Sequence, residues 1–337
     1  MIAFHIKNQH IIIKFMNISK FSLTVFLSCL MIGSFGCEFG QIKSKATIGE
    51  LSIIADENIM PVIPALVSEF ERLNPEAKIK VSYKPSRIAI TDFLNKDTRF
   101  IMLAGDFNSE DRKYIEEYKL EMQRYEVASD AVAFIVNPEN PVIRLTSDDL
   151  KKIFTGEYTK WTDISVQDKE QNENVKSVMK AKENEIKVYI QRPNSGTYGY
   201  VKDTVLAGME YLKTAQICST STQMLEMIRE NKNAVGISNL CWISKGNQDS
   251  LDTSVRAVRI SRIYPGGRQD DFIELHQGLV YARKYPYIRK VVVYTTILDI
   301  QLSTGWITFL LGKDGQKVFL EKGMVPVNQP VRLIQIE

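Results

Sequence analysis

The sequence predicts an α/β fold with a largely parallel central sheet. Residues 50–56, 77–83 and 99–103 have the alternating or continuous apolar pattern of strands. Each is followed by a stretch with helical character, and in the first of these stretches apolar side chains recur every three or four residues. Short strand and helix units in succession are typical of folds in which helices flank a parallel sheet.

The loops after these strands are the first candidates for a ligand site, because ligands bind at the carboxyl ends of parallel strands. The three loops are Asp56-Glu57-Asn58, Lys84-Pro85-Ser86 and Gly105-Asp106. Ser86 is also a natural cap for the helix that follows it. The side chains that we expect to contact a ligand are Glu57, Asn58, Ser86 and Asp106.

A fourth strand-to-helix turn, residues 191–200, carries the strongest indication of a ligand. The alternating strand 186–190 precedes it, and Tyr198, Val201 and Val205 continue with helical spacing. A helix start has backbone N–H groups without internal acceptors and a positive dipole end, which predicts a cradle for a small oxyanion such as phosphate. A plain capping turn is the alternative. The residues of the candidate cradle are Arg192, Asn194, Ser195, Gly196 and Thr197.

The charge balance argues against a nucleic-acid partner. Three of the 43 basic side chains and none of the 40 acidic ones fall in residues 1–36, so the remainder of the chain is neutral. A neutral chain has no overall field that attracts a polyanion, and any anion must be bound locally. The length of 337 residues is sufficient for two domains with sizeable cores.

The N-terminus predicts export. An apolar run over residues 21–36 follows several lysines and is short for a membrane span, as in a signal peptide. Either Met1 or Met16 can serve as the start. Ser34-Phe35-Gly36 before Cys37 resembles the end of a bacterial lipoprotein signal, which implies lipidation of Cys37 and a short polar tether over residues 38–47. We expect a membrane-anchored lipoprotein facing the periplasm or the cell exterior.

Catalytic and metal motifs are not found in the sequence. His276 is the one histidine beyond the leader, which excludes a multi-histidine metal site, and we expect no cofactor. A serine hydrolase would need Ser195 with His276 and a carboxylate such as Asp271, but Ser195 lacks the Gly-x-Ser-x-Gly context. We therefore predict a protein that is not an enzyme. Two cysteines, Cys218 and Cys241, either pair or stay as buried thiols.

Several motifs together resemble the phosphate-binding proteins of ABC transporters. Arg192 shortly before Ser-Gly-Thr at a helix start resembles their binding motif. A capped helix with Phe-Thr-Gly and then Trp161 has a counterpart in that family, as do Tyr-Pro followed by an arginine in residues 285–296 and the Gly-Gln-Lys helix in residues 305–326. The resemblance covers about residues 48–337.

This resemblance implies the type II periplasmic-binding-protein fold. Such a fold has two lobes, each a mainly parallel sheet flanked by helices, joined by two crossover strands that form the hinge. The implied division is a signal peptide over 1–36, a lipidated tether over 37–47, lobe I over 48–130 and 285–337, and lobe II over 131–284. Residues 165–185 are polar, without an apolar period, and are predicted to be a solvated insertion.

The implied function is the capture of phosphate or a similar oxyanion between the lobes, by a monomer that serves an ABC transporter permease. The family usually has small hydroxyl residues in the first loop, where this chain has Asp56-Glu57-Asn58. Asp106 is the nearest counterpart of the family's acceptor aspartate. The alternatives are the same fold with a different small solute, and a phosphate sensor.

Overall fold

The computed structural model describes residues 45–164, 169–178, 184–246 and 250–328, and these residues are organised around one sheet. In chain order, its strands are β1 Gly49–Asp56, β2 Ala77–Lys84, β3 Phe100–Ala104, β4 Gln123–Val136, β6 Lys187–Gln191, β7 Gln216–Cys218, β8 Ala234–Asn239, β9 Arg256–Ala257, β11 Ile288–Thr295 and β12 Val325–Pro326, while β5 Arg144–Thr146 and β10 Arg259–Ser261 form a separate pair.

Helices pack on both faces of the sheet. They are α1 Ile63–Leu73, α2 Ser86–Leu94, α3 Ser109–Glu117, α4 Ser147–Thr155, α5 Lys169–Val178, α6 Gly196–Thr204, α7 Ser221–Glu230, α8 Leu240–Ile243, α9 Gln277–Tyr281, α10 Leu302–Leu311 and α11 Lys313–Glu321. Short 3₁₀ segments cover Glu57–Ile59 and Trp161–Asp163. No helix in the described residues is long and apolar enough to cross a bilayer.

The order of the strands divides the sheet into two halves. The first half, β2-β1-β3, is parallel, and the second half, β8-β6-β7, is parallel as well. Between them lie β11 and β4, which are antiparallel to each other and to their outer neighbours. The carboxyl ends of the parallel strands carry the four candidate loops, as the sequence predicts. The predicted lobe boundaries remain predictions.

Each half has its own apolar core. In the first half the alternation of β1 directs Ile53 to one face and Ile54 to the other, so that two clusters form on opposite sides. Phe70 and Trp306 lie on the first of these faces with ring centroids 5.2 Å apart. In the second half the core packs around residues such as Phe134, whose ring lies edge-on to that of its neighbours. These cores fix the strand ends that carry the loops.

Three expectations differ from the structure. Residues 165–185 include helix α5, which is held by Gln171, because its Oε1 accepts from the amides of Ile143 and Arg144. The sequence of residues 261–284, with Pro265-Gly266-Gly267 and several charged side chains, predicts a long exposed loop, but this segment contains α9. Ser86 is the first residue of α2 rather than its cap, since Pro85 occupies the capping position.

The structure decides the prediction for the two cysteines but describes almost none of the N-terminal leader and tether. Cys218 and Cys241 are both buried and free, so the thiol alternative holds and no disulfide joins them. Burial raises the pKa of Cys218 to about 11. The predicted signal peptide, Cys37 and nearly all of the tether lie outside the described residues.

Thr146 and Asp149 have the spacing of a capping box in the sequence, and they form one at the start of α4. Thr146 Oγ1 accepts from Asp149 N at 3.0 Å, while Asp149 Oδ2 accepts from Thr146 N at 2.9 Å. We expect Thr146→Ala to lower the free energy of unfolding by about 1 kcal/mol. Asp149 N loses its acceptor, and the Asp149 carboxylate loses the hydroxyl that donates to it. Urea denaturation measures this loss. Thr155→Ala, at the other end of α4, is the control and should change stability by about 0.5 kcal/mol or less.

Candidate functional site

The start of α6 is buried. Ser195 caps the helix, with Thr197 N donating to Ser195 Oγ at 3.3 Å. Ser195 Oγ in turn donates to Gln191 Oε1 at 2.5 Å, at the end of β6. Ser195 is 1% exposed and Thr197 is fully buried. Two hydroxyls and the first amides of the helix are therefore gathered at one buried point.

Asp56 joins three strand ends of the first half. Its Oδ1 accepts from Asn58 N at 3.0 Å and from Asn58 Nδ2 at 2.8 Å. Its Oδ2 accepts from Ser86 Oγ at 2.5 Å and from Ala104 N at 3.1 Å. Since four donors of the chain itself satisfy this carboxylate, its charge is already balanced by hydrogen bonds.

The two halves meet directly at this point. Asn58 Oδ1 accepts from Thr197 Oγ1 at 2.9 Å, and Asn58 Nδ2 donates to Ser195 Oγ at 3.3 Å. The backbone of Asn194 accepts from Arg87 N at 3.2 Å. A Cβ at Gly196 would lie 2.3 Å from Ser86 Oγ. Asn58 and four predicted residues in and just before the first turn of α6 thus share one contact region with Ser86.

Three further residues complete this contact region, and sequence reasoning did not include them. Asn239, at the end of β8, has its Oδ1 3.2 Å from Thr197 Oγ1. Arg289 Nη1 donates to Thr197 Oγ1 at 3.0 Å, and Arg289 Nη2 lies 3.3 Å from Asp130 Oδ2. Arg289 is the arginine that follows Tyr-Pro in the sequence, where it served only as part of the motif shared with the family.

We define the cleft cluster by the residues that make these contacts. It consists of Asp56, Asn58, Ser86, Asp130, Gln191, Ser195, Gly196, Thr197, Asn239 and Arg289. Burial raises the pKa of Asp130, although Arg289 and two backbone amides oppose this shift.

Arg192 and Glu57 form an ion pair beside the cleft cluster. Arg192 Nη2 donates to Glu57 Oε2 across the two halves. Burial raises the pKa of Glu57, and the hydrogen bond from Arg192 opposes that effect without cancelling it. Arg192 and Glu57 are both predicted from the sequence to contact the ligand, and in the structure they contact each other.

Asp106 lies apart from the cleft cluster. Its carboxylate accepts from the hydroxyl of Tyr294 and from Arg124 Nη2, the latter at 2.8 Å, and Arg112 lies 3.0 Å away. Burial alone would raise its pKa, but the bonds from Tyr294 and Arg124 leave the pKa of Asp106 below its ordinary value. Asp106 therefore forms part of the cleft wall with its charge already paired.

A cleft of about 240 Å³ opens beside the start of α6. Both halves line it, the first through the loops after β2 and β3 and the second through the turn before α6. Its walls include Ser86, Gly105, Asp106, Ser195, Gly196 and Tyr200. Polar groups of both halves therefore border one cavity.

Several buried donors at this place have no acceptor among the described residues. They are Gln191 Nε2, Arg192 Nε and Arg289 Nε. The hydroxyl of Ser238 is also without a partner, and one acceptor in the turn before α6, Asn194 Oδ1, has no donor among the described residues. A buried donor without an acceptor costs free energy comparable to a lost hydrogen bond. The chemistry of the donor set fits a ligand that only accepts hydrogen bonds, such as an oxyanion.

The geometry at Ser195 gives no support to the hydrolase alternative. Its hydroxyl donates to an amide oxygen, and the Nδ1 of His276 accepts from Gly278 N at 3.1 Å at the start of α9. Within the described ranges, no group of three or more histidine, cysteine, aspartate or glutamate side chains is arranged to hold a metal ion.

Comparisons with known proteins agree with this architecture. Residues 42–314 match a family model described as a PBP superfamily domain. The phosphate-binding protein PstS of Borreliella burgdorferi is 19% identical over 286 residues, covering 82% of this chain and 90% of its own length. That of Pseudomonas aeruginosa is 20% identical over 298 residues, covering 85% of each.

Solved structures confirm the predicted fold class. A Clostridium perfringens protein described as a phosphate ABC transporter substrate-binding protein, with bound phosphate, gives a TM-score of 0.67 at 21% identity, over 83% of this chain and 100% of that one. A Vibrio cholerae ABC-type phosphate transport receptor gives 0.60 at 18% identity, over 82% of this chain and 100% of that one. At these identities the likeness shows the α/β fold of periplasmic binding proteins.

Proposed function

This chain belongs to the PBP superfamily, and from that premise we propose that it is an extracytoplasmic solute-binding protein for phosphate or a similar oxyanion. The observation that carries the proposal is the gathering of two hydroxyls and the first amides of α6 at one buried point, where Ser195 and Gly196 border a cleft that both halves line. Buried donors without acceptors lie in neighbouring residues, Gln191 and Arg289 among them. Helix starts, hydroxyls and guanidinium groups are the usual partners of phosphate in proteins. The relatives that the chain resembles are phosphate-binding proteins.

The proposed mechanism is capture without chemistry. On binding, the hydroxyls of Ser195 and Thr197 exchange their present acceptors, Gln191 Oε1 and Asn58 Oδ1, for the anion. The amides at the helix start donate beside them, and Ser86 and Asn58 lie on the other side of the anion. Since Asp56 is satisfied by four donors and Glu57 is paired with Arg192, neither carboxylate meets the anion as an unbalanced charge. A ligand that touches both halves favours the closed arrangement.

The cellular role follows from the family and the N-terminal sequence. We propose that the protein is exported, that Cys37 carries a lipid anchor, and that the closed, loaded form docks on the permease of an ABC importer as a monomer. Metabolic labelling with a palmitate analogue tests the anchor. Wild-type protein should incorporate the label and Cys37→Ala should not, and equal labelling of both would contradict the anchor.

Calorimetric titration of the purified protein tests the ligand assignment. We expect phosphate to bind with micromolar or tighter affinity, and sulfate, molybdate and an amino acid to bind more weakly. Binding of an amino acid or of a cation-bearing solute in preference to phosphate would favour the alternative of the same fold with a different ligand. Absence of binding by every anion would overturn the proposal.

We expect Thr197→Val to weaken phosphate binding by about tenfold, because valine keeps the volume but removes one hydrogen bond to a charged ligand. The same titration measures the effect. Thr204→Val in the last turn of α6 is the matched control, since that hydroxyl bonds to the backbone of Tyr200 on an exposed surface. Equal affinities for wild type and Thr197→Val would remove Thr197 from the site.

A further inference from the structure

We propose that Arg289 is a second charge partner of the bound anion, and that Asp130 sets how much of its positive charge the anion meets. The inference rests on the proposed oxyanion function and adds to it a residue that comes from a strand rather than from a loop. Three observations carry it: the position of the pair in the sheet, the reach of the guanidinium, and the geometry of its contact with Asp130.

The pair lies where the two halves join. Arg289 on β11 is the direct antiparallel partner of Asp130 on β4. The side chain of Arg289 is 2% exposed and that of Asp130 is fully buried. Charges in such a place are only weakly screened by water or salt, so a charge on Arg289 acts strongly on neighbouring groups.

The guanidinium reaches the helix start through a single hydroxyl. Arg289 Nη1 donates to Thr197 Oγ1 at 3.0 Å, and Thr197 is the second residue of α6. Thr197 Oγ1 therefore accepts a hydrogen bond from the guanidinium, and its own hydroxyl proton is donated to a different atom, Asn58 Oδ1. The Nε of Arg289 is buried without an acceptor in the described part of the chain. The group therefore has unused donor capacity beside the start of α6.

Asp130 balances Arg289 only in part. The two side chains share one contact of 3.3 Å rather than the two short bonds of a bidentate pair. The other oxygen of Asp130 accepts from Cys241 N at 3.3 Å, so the carboxylate divides its acceptor capacity. By contrast, Arg192 is 33% exposed at its side chain and pairs with Glu57. Arg289 is consequently the less compensated and the less screened of the two cations.

Opposite shifts in the affinity for phosphate are the test of this proposal. We expect Arg289→Met to weaken binding by about 30-fold, because a buried charge partner is lost. Asp130→Asn should tighten binding by about tenfold, since it removes a negative charge near the anion while keeping the shape of the side chain. Arg289→Lys keeps the charge and should retain more affinity than Arg289→Met.

The double variant Asp130→Asn/Arg289→Met protects the test against misfolding, since it leaves no unpaired buried charge. It should bind phosphate more weakly than wild type but no more weakly than Arg289→Met. Arg256→Met is the control, because this half-buried arginine bonds to the carbonyls of Pro138 and Asn140. Fluorescence of Trp242, whose Nε1 donates to Asn58 O at 2.9 Å across the halves, reports closure separately from affinity.

A purely structural pair would give a different pattern. Both single variants would then lower the melting temperature, and both would weaken binding or leave it unchanged, which would overturn the inference. If wild-type protein binds phosphate and Arg289→Met binds it within twofold, the inference alone fails. If wild-type protein binds no anion, the proposed function fails and the inference with it.

Discussion

Gly196→Ala is expected to weaken phosphate binding by about 100-fold, because the added methyl group prevents the two halves from closing on the ligand. A Cβ at this position would lie 2.3 Å from Ser86 Oγ and 3.0 Å from Ser86 Cβ, in the opposite half. The backbone of Gly196 is helical, so alanine introduces no conformational strain of its own. The effect should therefore be on affinity, as measured by calorimetry, and not on the melting temperature of the ligand-free protein.

The same helix supplies the matched control for this substitution. A Cβ at Gly199 would meet no protein atom within 4 Å, and Gly199 also lines the cleft, so Gly199→Ala adds a methyl group at the same cavity without touching the opposite half. Ser86→Gly in the Gly196→Ala background removes the atoms that the methyl group would meet, and should recover part of the closure seen in Trp242 fluorescence. Wild-type affinity in Gly196→Ala would show that the halves do not need this contact to hold the anion.

Asp56→Asn is expected to lower the free energy of unfolding of the ligand-free protein by about 4 kcal/mol. Every contact of this carboxylate is with a donor: two from Asn58, one from Ser86 and one from Ala104. An amide cannot accept on both sides, so one pair of donors would face the NH₂ group of asparagine. Because the side chain is fully buried, water cannot replace the lost acceptor.

Urea denaturation of the ligand-free protein measures this loss. Asp92→Asn is the control, because its carboxylate pairs with the partly exposed Lys84 and should contribute about 1 kcal/mol or less. If Asp56→Asn proves as stable as wild type, the carboxylate does not hold the three loops together. Its role would then have to be sought in contact with the ligand.

The proximity of the loops within the first half could be predicted from the sequence for a simple reason. Strand patterns followed by helix patterns give a parallel sheet, and a parallel sheet brings its carboxyl ends to one edge. That argument is sufficient to place Asn58 and Ser86 near each other, but it does not extend to Ser195, because β11 and β4 reverse the strand direction between the two halves. The contact of Ser195 with Asn58, 137 positions away, is expected only from the two-lobed fold that the family resemblance implies. It needs no knowledge of how the individual side chains are oriented.

Two of the three residues that were missed come from inside strands, while Asn239 is the last residue of β8. Arg289 and Asp130 lie in the middle strands of the sheet, where a charged residue within an apolar run gives no indication of its partner. The pairing of Arg192 with Glu57 depends on how closely two separate loops approach, which spacing along the chain does not determine. The engagement of Asp106 by Tyr294 has the same origin, since β11 returns to the first half late in the chain.

The two central strands also bear on how this molecule melts. β4 extends over 14 residues and contacts elements of both halves, while β11 pairs with β4 along its whole length and with β3 on its other side. The strands of neither half therefore form a complete sheet without β4 and β11. Separating the two halves would expose unpaired strand edges. Calorimetric melting should accordingly show a single cooperative transition, and a fragment that carries one half alone should aggregate rather than fold.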